Sequence, residues 1–590
     1  MAAPRRKESS DRITASSVEP VAATLLSFTA SDALALGLIL LFALVLIHRN
    51  GFANGEELWP MPDAVGYAAM AVNLDRGLGP VIHFAGITYP ALETIGYPLM
   101  LAAGYPLVGY QPQRFWLVTA LTALLAIAGL YLLTRWVFDR PAAIVAALLL
   151  MTSPYFLGLS TCVLSDVPAL AVTIAAVLTF LYAEEIDSIA ASAACGILVG
   201  WAVTVRLTDI TILVGMAAAI VLIRARRLQI ARLMAFALGS VPFPALQAWA
   251  NLRSLGSPFA NGYAFWRPDL HGLGGVAFAL RYPFERAYTT AAHGNAISYG
   301  NLISYALALL GLDGFIGQLN LGFELRPLLH AHYSLYPFPV IIFAAMGCCF
   351  AWHEKRDAIT MRTFCVGGGF LASLLLIYLF YFYLDPRFLL PGCFIIFAAA
   401  GYGLVAAYRS FTGGWRRIGI IALDVVLVGA IVIETGARLA AAAPDSKLVP
   451  EVQYLRPQIA NSVVVSDVSL QWLELLIGED GVEYVGLDNL FAEESINEYH
   501  LHFLYEKKIS GHPVPMPPIL LPDGKLDPAV AHQLADDDKR GRAVYLLVAL
   551  PMRTEWAGTL MREFGELDRS FALEAVQRYP EIALYRMKPR

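Results

Sequence analysis

The sequence predicts a polytopic α-helical membrane protein with a C-terminal α/β domain. Three observations predict it. The 590 residues are 57% hydrophobic and only 15% charged, apolar stretches of helical length recur as far as about residue 436, and the arginines between them fall in alternate loops. A water-soluble globular chain carries about a quarter charged residues, so the main solvent here is a bilayer.

A helix needs about 20 mostly apolar residues to cross the hydrocarbon. About eleven stretches qualify, near 33–48, 115–134, 141–158, 167–183, 189–205, 208–223, 230–249, 335–351, 361–383, 388–408 and 417–435. The first follows the basic MAAPRRKESSDR and precedes His48, Arg49 and Asn50 rather than a small-residue cleavage site, so it reads as a retained span behind a cytoplasmic tail, residues 1–32. Arg135 and Arg140, Arg224, Arg226, Arg227 and Arg232, Lys355, Arg356 and Arg362, and Arg409, Arg416 and Arg417 all fall on the side of that tail. The positive-inside rule makes this side cytoplasmic. Residues 303–317 are also apolar, but as a span they would put HEKR and GGWRR outside, so they read as an interfacial helix.

The resulting organisation is a membrane domain over 33–436 with outer loops at about 49–112 and 250–334, then a soluble non-cytoplasmic domain over 437–590. In that tail SVVVSDV, VEYVGL, AVYLLVALP and EIALYRM read as strands between helix-length polar segments. It has no Gly-rich phosphate fingerprint. A net charge of -5 gives no basic footprint for nucleic acid. The six cysteines lie mostly in apolar runs without zinc-ligand spacing, as packing residues do.

Four outward segments could carry chemistry. After the first span, Pro62 and Asp63 open a helix-period run in which Tyr67 shares a face with Asp63. Asp63 serves there either as an N-cap or as a general base meeting a lipid-borne substrate. LSTCVLSDVPAL places Ser165 and Asp166 at the mouth of the fourth span, again as a cap or as a costly acid kept for function. NLRSLGSPFANGYAFWRP, with Tyr263, opens the second large loop with turn residues. YFYLDPRFLLPGC sets Asp385 and Arg387 between two span ends, either as a surface pair or with the arginine holding a phosphate bidentately.

PDAVGYAAMAVNLDRG, YPALETIGYPLMLA, SDVPAL, GSPFANGY and DPRFLLP, in that order over about 50–400, resemble the membrane glycosyltransferases of the C-type fold (GT-C). The likeness is to family 39, with the protein O-mannosyltransferases, the lipid A aminoarabinose transferase and the rhizobial galacturonosyltransferases. The resemblance implies a sugar donor on polyprenyl phosphate, Asp63 as the catalytic base, and Asp166 in support of acceptor or metal. Relatives often carry Pro-Pro-Gly-Tyr-Pro, where this chain has Glu93-Thr94-Ile95-Gly96-Tyr97-Pro98, keeping Gly-Tyr-Pro. Glu93 and Tyr97 therefore join the site candidates.

The expected reaction is an inverting transfer to a hydroxyl of an envelope lipid, glycan or protein on the non-cytoplasmic face of the plasma (inner) membrane. Arg387 and then Arg206 are the donor-phosphate candidates, with Arg253 and Arg267 behind them. No cofactor is required, and a divalent cation is admissible. The alternatives are a transporter or flippase, whose acids would line a route through the bundle, and a scaffold displaying the outer domain.

Overall fold

The computed structural model describes residues 28–54, 62–84, 87–223, 229–266, 271–272, 275–284, 300–312, 335–355, 357–410, 413–441, 448–466, 468, 470–478, 481–487, 519–521, 524–549 and 565–590. Arg224, Arg226, Arg227, Arg267 and Arg356, residues 313–317 and most of the 1–32 tail lie outside them.

The chain opens with α1 (Ala30–Asn54), α2 (Pro62–Asp75), the hairpin β1 (Val81–Phe84) and β2 (Ile87–Pro90), and α3 (Gly96–Gly104). The bundle continues through α4 (Trp116–Val137), α5 (Arg140–Met151), α6 (Pro154–Leu159), α7 (Asp166–Ile186), α8 (Ile189–Val205), α9 (Ile212–Leu222), α10 (Ile230–Ser240), α11 (Pro242–Leu255) and α12 (Gly262–Trp266). After α13 (Asn301–Leu309) come α14 (Pro339–Glu354), α15 (Ala358–Leu379), α16 (Phe394–Ser410) and α17 (Gly414–Ala441). Among the described residues six helices or helix pairs are long and apolar enough to cross a membrane, or seven if the 3-10 turn Pro386–Gly392 and α16, bent by 66°, form one span. Arg140–Met151, Ile189–Val205, Leu207–Leu222 and Pro339–Glu354 are apolar but shorter.

Polar contacts separate the two ends of the bundle. At one end Arg135 pairs with Asp32 at 2.9 Å, Arg409 with Asp139 at 2.5 Å, Arg362 with Glu185 at 3.3 Å, and Arg232 with Glu184 and Asp187. At the other end of α7 is Asp166, about 30 Å away at 1.5 Å per residue. Arg135, Arg232, Arg362 and Arg409, which come from alternate loops, thus gather at one end of the bundle. α13 is too short to cross at about 1.5 Å per residue. It is tied to the opposite end, where Asn301 Nδ2 donates to the carbonyls of Tyr378, Leu379 and Tyr381 at 3.0, 3.1 and 2.7 Å.

The C-terminal region contains α18 (Leu448–Ile459), β3 (Val463–Ser466), α19 (Leu470–Ile477), β4 (Glu483–Gly486), α20 (Pro528–Lys539), β5 (Val544–Ala549), β6 (Phe571–Arg578) and β7 (Ile582–Pro589). Its five-stranded sheet has the order β4-β3-β5-β7-β6, parallel across β4-β3-β5 and antiparallel beyond. The four runs singled out in the sequence are β3, β4, β5 and β7. β6 escaped because FALEAVQR is largely half-buried or exposed and lacks an apolar run. α19 packs on α2 and on the turn at Pro112–Arg114, so this region lies at the end opposite the arginines.

In lipid, helices associate by close packing rather than by burying oil from water, which favours small residues at contacts. α14 and α16 meet this way: a Cβ on Gly347 would strike the Ala399 carbonyl, and one on Gly403 the Phe343 carbonyl. Gly403→Leu should therefore lower the midpoint of heat inactivation sharply, in line with an overpacking cost of about 1–3 kcal/mol or more. Gly368→Leu on α15, where nothing lies within 4 Å of the added carbon, should leave it unchanged. Fluorescence-detected size exclusion after heating checks both.

Candidate active site

α2 begins at Pro62, which puts Asp63 in its first turn. There its Oδ2 accepts from Arg387 Nη2 at 3.2 Å. Asp166 opens α7 and forms an ion pair with Arg206, and its Oδ2 lies 3.8 Å from Arg387 Nη1. The residue at the cap position, Ser165, makes no side-chain cap bond; its hydroxyl accepts from Tyr67 at 3.1 Å. Asp385 caps the 3-10 turn by accepting from the Arg387 backbone N–H at 3.0 Å, and its Oδ2 lies 2.9 Å from Arg387 Nε. Arg387 thus gathers carboxylates from three separate elements.

Arg206, the C-cap of α8, donates to the Tyr378 hydroxyl at 3.2 Å, and Thr208 shares that hydroxyl at 3.0 Å. Both guanidiniums lie over the Phe388 ring, at 5.3 Å for Arg206 and 5.4 Å for Arg387. An anion set beside Phe388 would meet two planar forks, the donor geometry suited to phosphate. Among the described residues no group of three or more His, Cys, Asp or Glu is placed to hold a metal. The positive charge among these carboxylates is a guanidinium.

Glu93 follows the hairpin and is 5% exposed, with neither carboxyl oxygen hydrogen-bonded among the described residues. Leaving a buried polar group unmatched costs about 1–3 kcal/mol. Burial, and after it the charge of Asp63, pushes the carboxyl up to about 8. Burial likewise raises the Tyr67 phenol well above its ordinary value, with Asp63 and Glu93 adding to it. Tyr97 packs edge-on to Tyr67 at 5.1 Å and bonds Thr119 Oγ1 at 2.7 Å. Tyr263, on α12, lies where the charges of Asp63 and Glu93 both reach it.

A family model described as dolichyl-phosphate-mannose-protein mannosyltransferase matches residues 93–247. The crystal structure of ArnT from Cupriavidus metallidurans bound to undecaprenyl phosphate superposes with a TM-score of 0.57 at 15% identity, covering 93% of this chain and 98% of that one. The chain has the GT-C fold. The same ArnT in the apo state gives 0.56 at 14% identity with the same coverage. The Archaeoglobus fulgidus oligosaccharyltransferase in the apo form gives 0.50 at 12%, covering 92% of this chain and 72% of that one. No curated protein matches in sequence.

In this GT-C chain, Asp63, Asp166, Asp385, Arg206 and Arg387 form one cluster, with Tyr67 and Glu93 against it. Arg253 lies apart, exposed and over the Trp249 ring at 5.8 Å. The retained Gly-Tyr-Pro has a steric reason: a Cβ on Gly96 would strike the backbone of Thr204 and Val205 at the end of α8. Sequence reasoning missed Tyr378, Phe388, Gly66 and Asp209. Asp209 is fully buried, with the charges of Arg206 and Asp166 reaching it. An acid inside an apolar run was a usable signal for it. Gly66 carried none, since its role is to leave space on α2 for Glu93.

Glu93 makes stability pH-dependent in a definite direction. The folded chain holds its proton up to about pH 8, whereas the unfolded chain releases it near the ordinary value of 4.5. Its contribution is therefore fully present below about 4.5 and is lost as pH rises toward 8. The parent should lose heat resistance relative to Glu93→Gln across that window, with the two converging at acid pH, as thermal midpoints measured at stepped pH will read out.

Proposed function

We propose that the chain is a membrane glycosyltransferase that moves a sugar from a polyprenyl-phosphate carrier to an acceptor hydroxyl with inversion. The observation that carries this reading is the convergence of Asp63 and Asp166 on Arg387, beside Arg206, at a single end of the bundle. A transporter would string its acids along a route through the bundle. The undecaprenyl phosphate named in the ArnT structure supports a lipid-phosphate donor for the same fold.

In this reading the donor phosphate lies against Arg387 and Arg206. Asp63 takes the proton of the acceptor hydroxyl, the hydroxyl oxygen bonds to the anomeric carbon, and the carbon–oxygen bond to the lipid phosphate breaks with its electron pair. The charge that develops on the leaving phosphate is met by the two guanidiniums. Asp63 is the most exposed of the three carboxylates, at 30%, against 4% for Asp166 and 6% for Asp385. Phosphate binding would compete for Arg387 and release Asp63 as a stronger base, leaving Asp166 and Asp385 to hold the arginine in place.

We further infer about eleven transits over 33–436, with the short apolar helices completing the six or seven long ones. The arginine end faces the cytoplasm. The site, the 437–590 domain and an envelope acceptor then lie on the outer side of the plasma membrane. A phosphatase active only outside the cytoplasm, fused after Arg590, should be active, and a cytoplasm-only reporter silent. The reverse pattern would overturn the orientation.

Asp63→Asn tests the chemistry. Asparagine keeps the size and a hydrogen-bonding oxygen, and Arg387 retains two carboxylates, so the variant should insert and resist heating like the parent. It cannot accept a proton, so transfer should fall by about 10²–10⁴-fold. Mass spectrometry of envelope glycolipids and glycans from cells carrying the parent or the variant measures this, and parental product levels would remove Asp63 from the base role.

A further inference from the structure

At the end of the bundle that holds the carboxylates, residues 275–284 and α13 stand outside the site, and the side chains they expose are apolar. Leu280 and Phe284 are 82% and 76% exposed, and Phe278, Leu302, Ile303 and Leu310 are exposed as well. On α13 the exposed Leu302, Ile303, Ala306 and Leu310 share one helical face, whereas Asn301, Tyr305 and Ala308 are buried on the other. Across 275–284 and 300–312 the sequence carries one charged residue, Arg281. A contiguous exposed apolar face marks a surface that meets a partner or a membrane.

Hydrogen bonds fix the depth of this face. Leu376, inside the span of α15, is exposed and so faces lipid. α15 ends at Leu379, about 5 Å further along its axis. Directly beyond, Ala279 N–H donates to the Phe380 carbonyl at 3.0 Å and Phe382 N–H to the Ala277 carbonyl at 2.8 Å. Residues 277–279 therefore lie beside the chain where it leaves the hydrocarbon.

α13 is held at both ends. Asn301 donates from its backbone N–H to the Tyr282 carbonyl at 2.9 Å and from its side-chain amide to the end of α15. At the other end the Tyr336 hydroxyl donates to the Leu309 carbonyl at 2.6 Å, shortly before α14 begins at Pro339. A nine-residue helix, about 14 Å long, that joins the end of α15 to the start of α14 runs across the end of the bundle. Its axis thus lies in the membrane plane. The apolar face borders lipid-facing surface on both sides, at Leu376 on α15 and at Phe338, which is exposed just before α14. The Arg281 guanidinium lies over the Tyr282 ring at 5.2 Å, and an arginine beside such a face carries its charge up to the headgroups.

We propose that residues 275–284 and α13 form an in-plane ledge seated in the phospholipid layer on the side of the site. Phe278, Leu280, Phe284, Leu302, Ile303 and Leu310 lie among the acyl chains, with Arg281 at headgroup level. The ledge goes beyond the transfer reaction and holds whichever way the bundle faces. It gives the site a fixed depth, because Phe278 packs on Tyr381 at 5.1 Å and Tyr381 lies 6.2 Å from Phe388, the ring under both guanidiniums. Arg206 and Arg387 are thereby held close to the level of the headgroup phosphates.

Photocrosslinking of the full chain in nanodiscs of phosphatidylethanolamine and phosphatidylglycerol, free of polyprenyl lipids, tests this. Benzoylphenylalanine placed at Leu280, Phe284 or Ile303 should gain the mass of a phospholipid on illumination. The yield should match that at Leu376 and stand well above that at Tyr454, which is exposed on α18. Because a bulky substitution can disturb folding, the unaltered chain is probed as well: a phospholipid with a diazirine at the start of its acyl chain should label peptides covering 275–284 and 300–312. Adduct yields no higher than at Tyr454, or absence of label from those peptides in the parent, would overturn the ledge. Crosslinks to residues 285–299 or 313–334, or to a second copy of the chain, in place of lipid adducts would overturn it too, since protein and not lipid would then cover the face.

Discussion

Arg387 is the constraint on which the site depends. Asp63 from α2, Asp166 from α7 and Asp385 from the turn before α16 all lie within 4 Å of its guanidinium. Two unit charges 4 Å apart interact by about 4 kcal/mol at an effective dielectric near 20. Carboxylates brought that close repel one another unless a cation lies among them. The planar fork supplies that cation with several donors, which a lysine point charge would not. Removing one member of a buried pair leaves its partner unmatched at a cost of about 3–5 kcal/mol, which applies to the buried Asp166 and Asp385 and not to the more exposed Asp63.

Around that centre the bundle separates two kinds of surface. The arginine-rich end ties the starts and ends of helices to one another with ion pairs such as Arg135–Asp32 and Arg362–Glu185. The opposite end folds α2, the hairpin and α3 down over the helix ends and adds α19 of the C-terminal region on top. Trp472 on α19 is fully buried and belongs to the same apolar core as the bundle. The aspartate-bearing helix is thus clamped from both sides, which limits how far Asp63 can wander from the arginine.

Within the site, the cationic and uncharged polar parts are kept apart. Arg206 and Arg387 share the Phe388 ring, whereas Glu93 lines a small recess with Asn251, Asn261 and Tyr263.

The sequence by itself determined what the solvent dictates. Apolar length placed the helices, and arginine spacing fell at one end of the bundle, because inserting charge into hydrocarbon is too costly to occur at random. Aspartates at helix starts were legible for the same reason, and the four apolar runs of the tail marked four of its five described strands. Tertiary structure decided which of those groups meet. Asp63 and Arg387 are 324 residues apart, and nothing local to either specifies the pair. Local cues favoured a capping role for Asp63 and Ser165, yet Asp63 turns to the arginine and Ser165 to Tyr67, because charges and hydroxyls from other elements compete for those oxygens. Glu93 was a site candidate by resemblance alone, since its burial without a hydrogen-bond partner among the described residues arises only when Gly66 leaves room for its carboxyl. Helix positions follow from each segment's own transfer into lipid, whereas a site is made of contacts between segments, and those exist only once the bundle has packed.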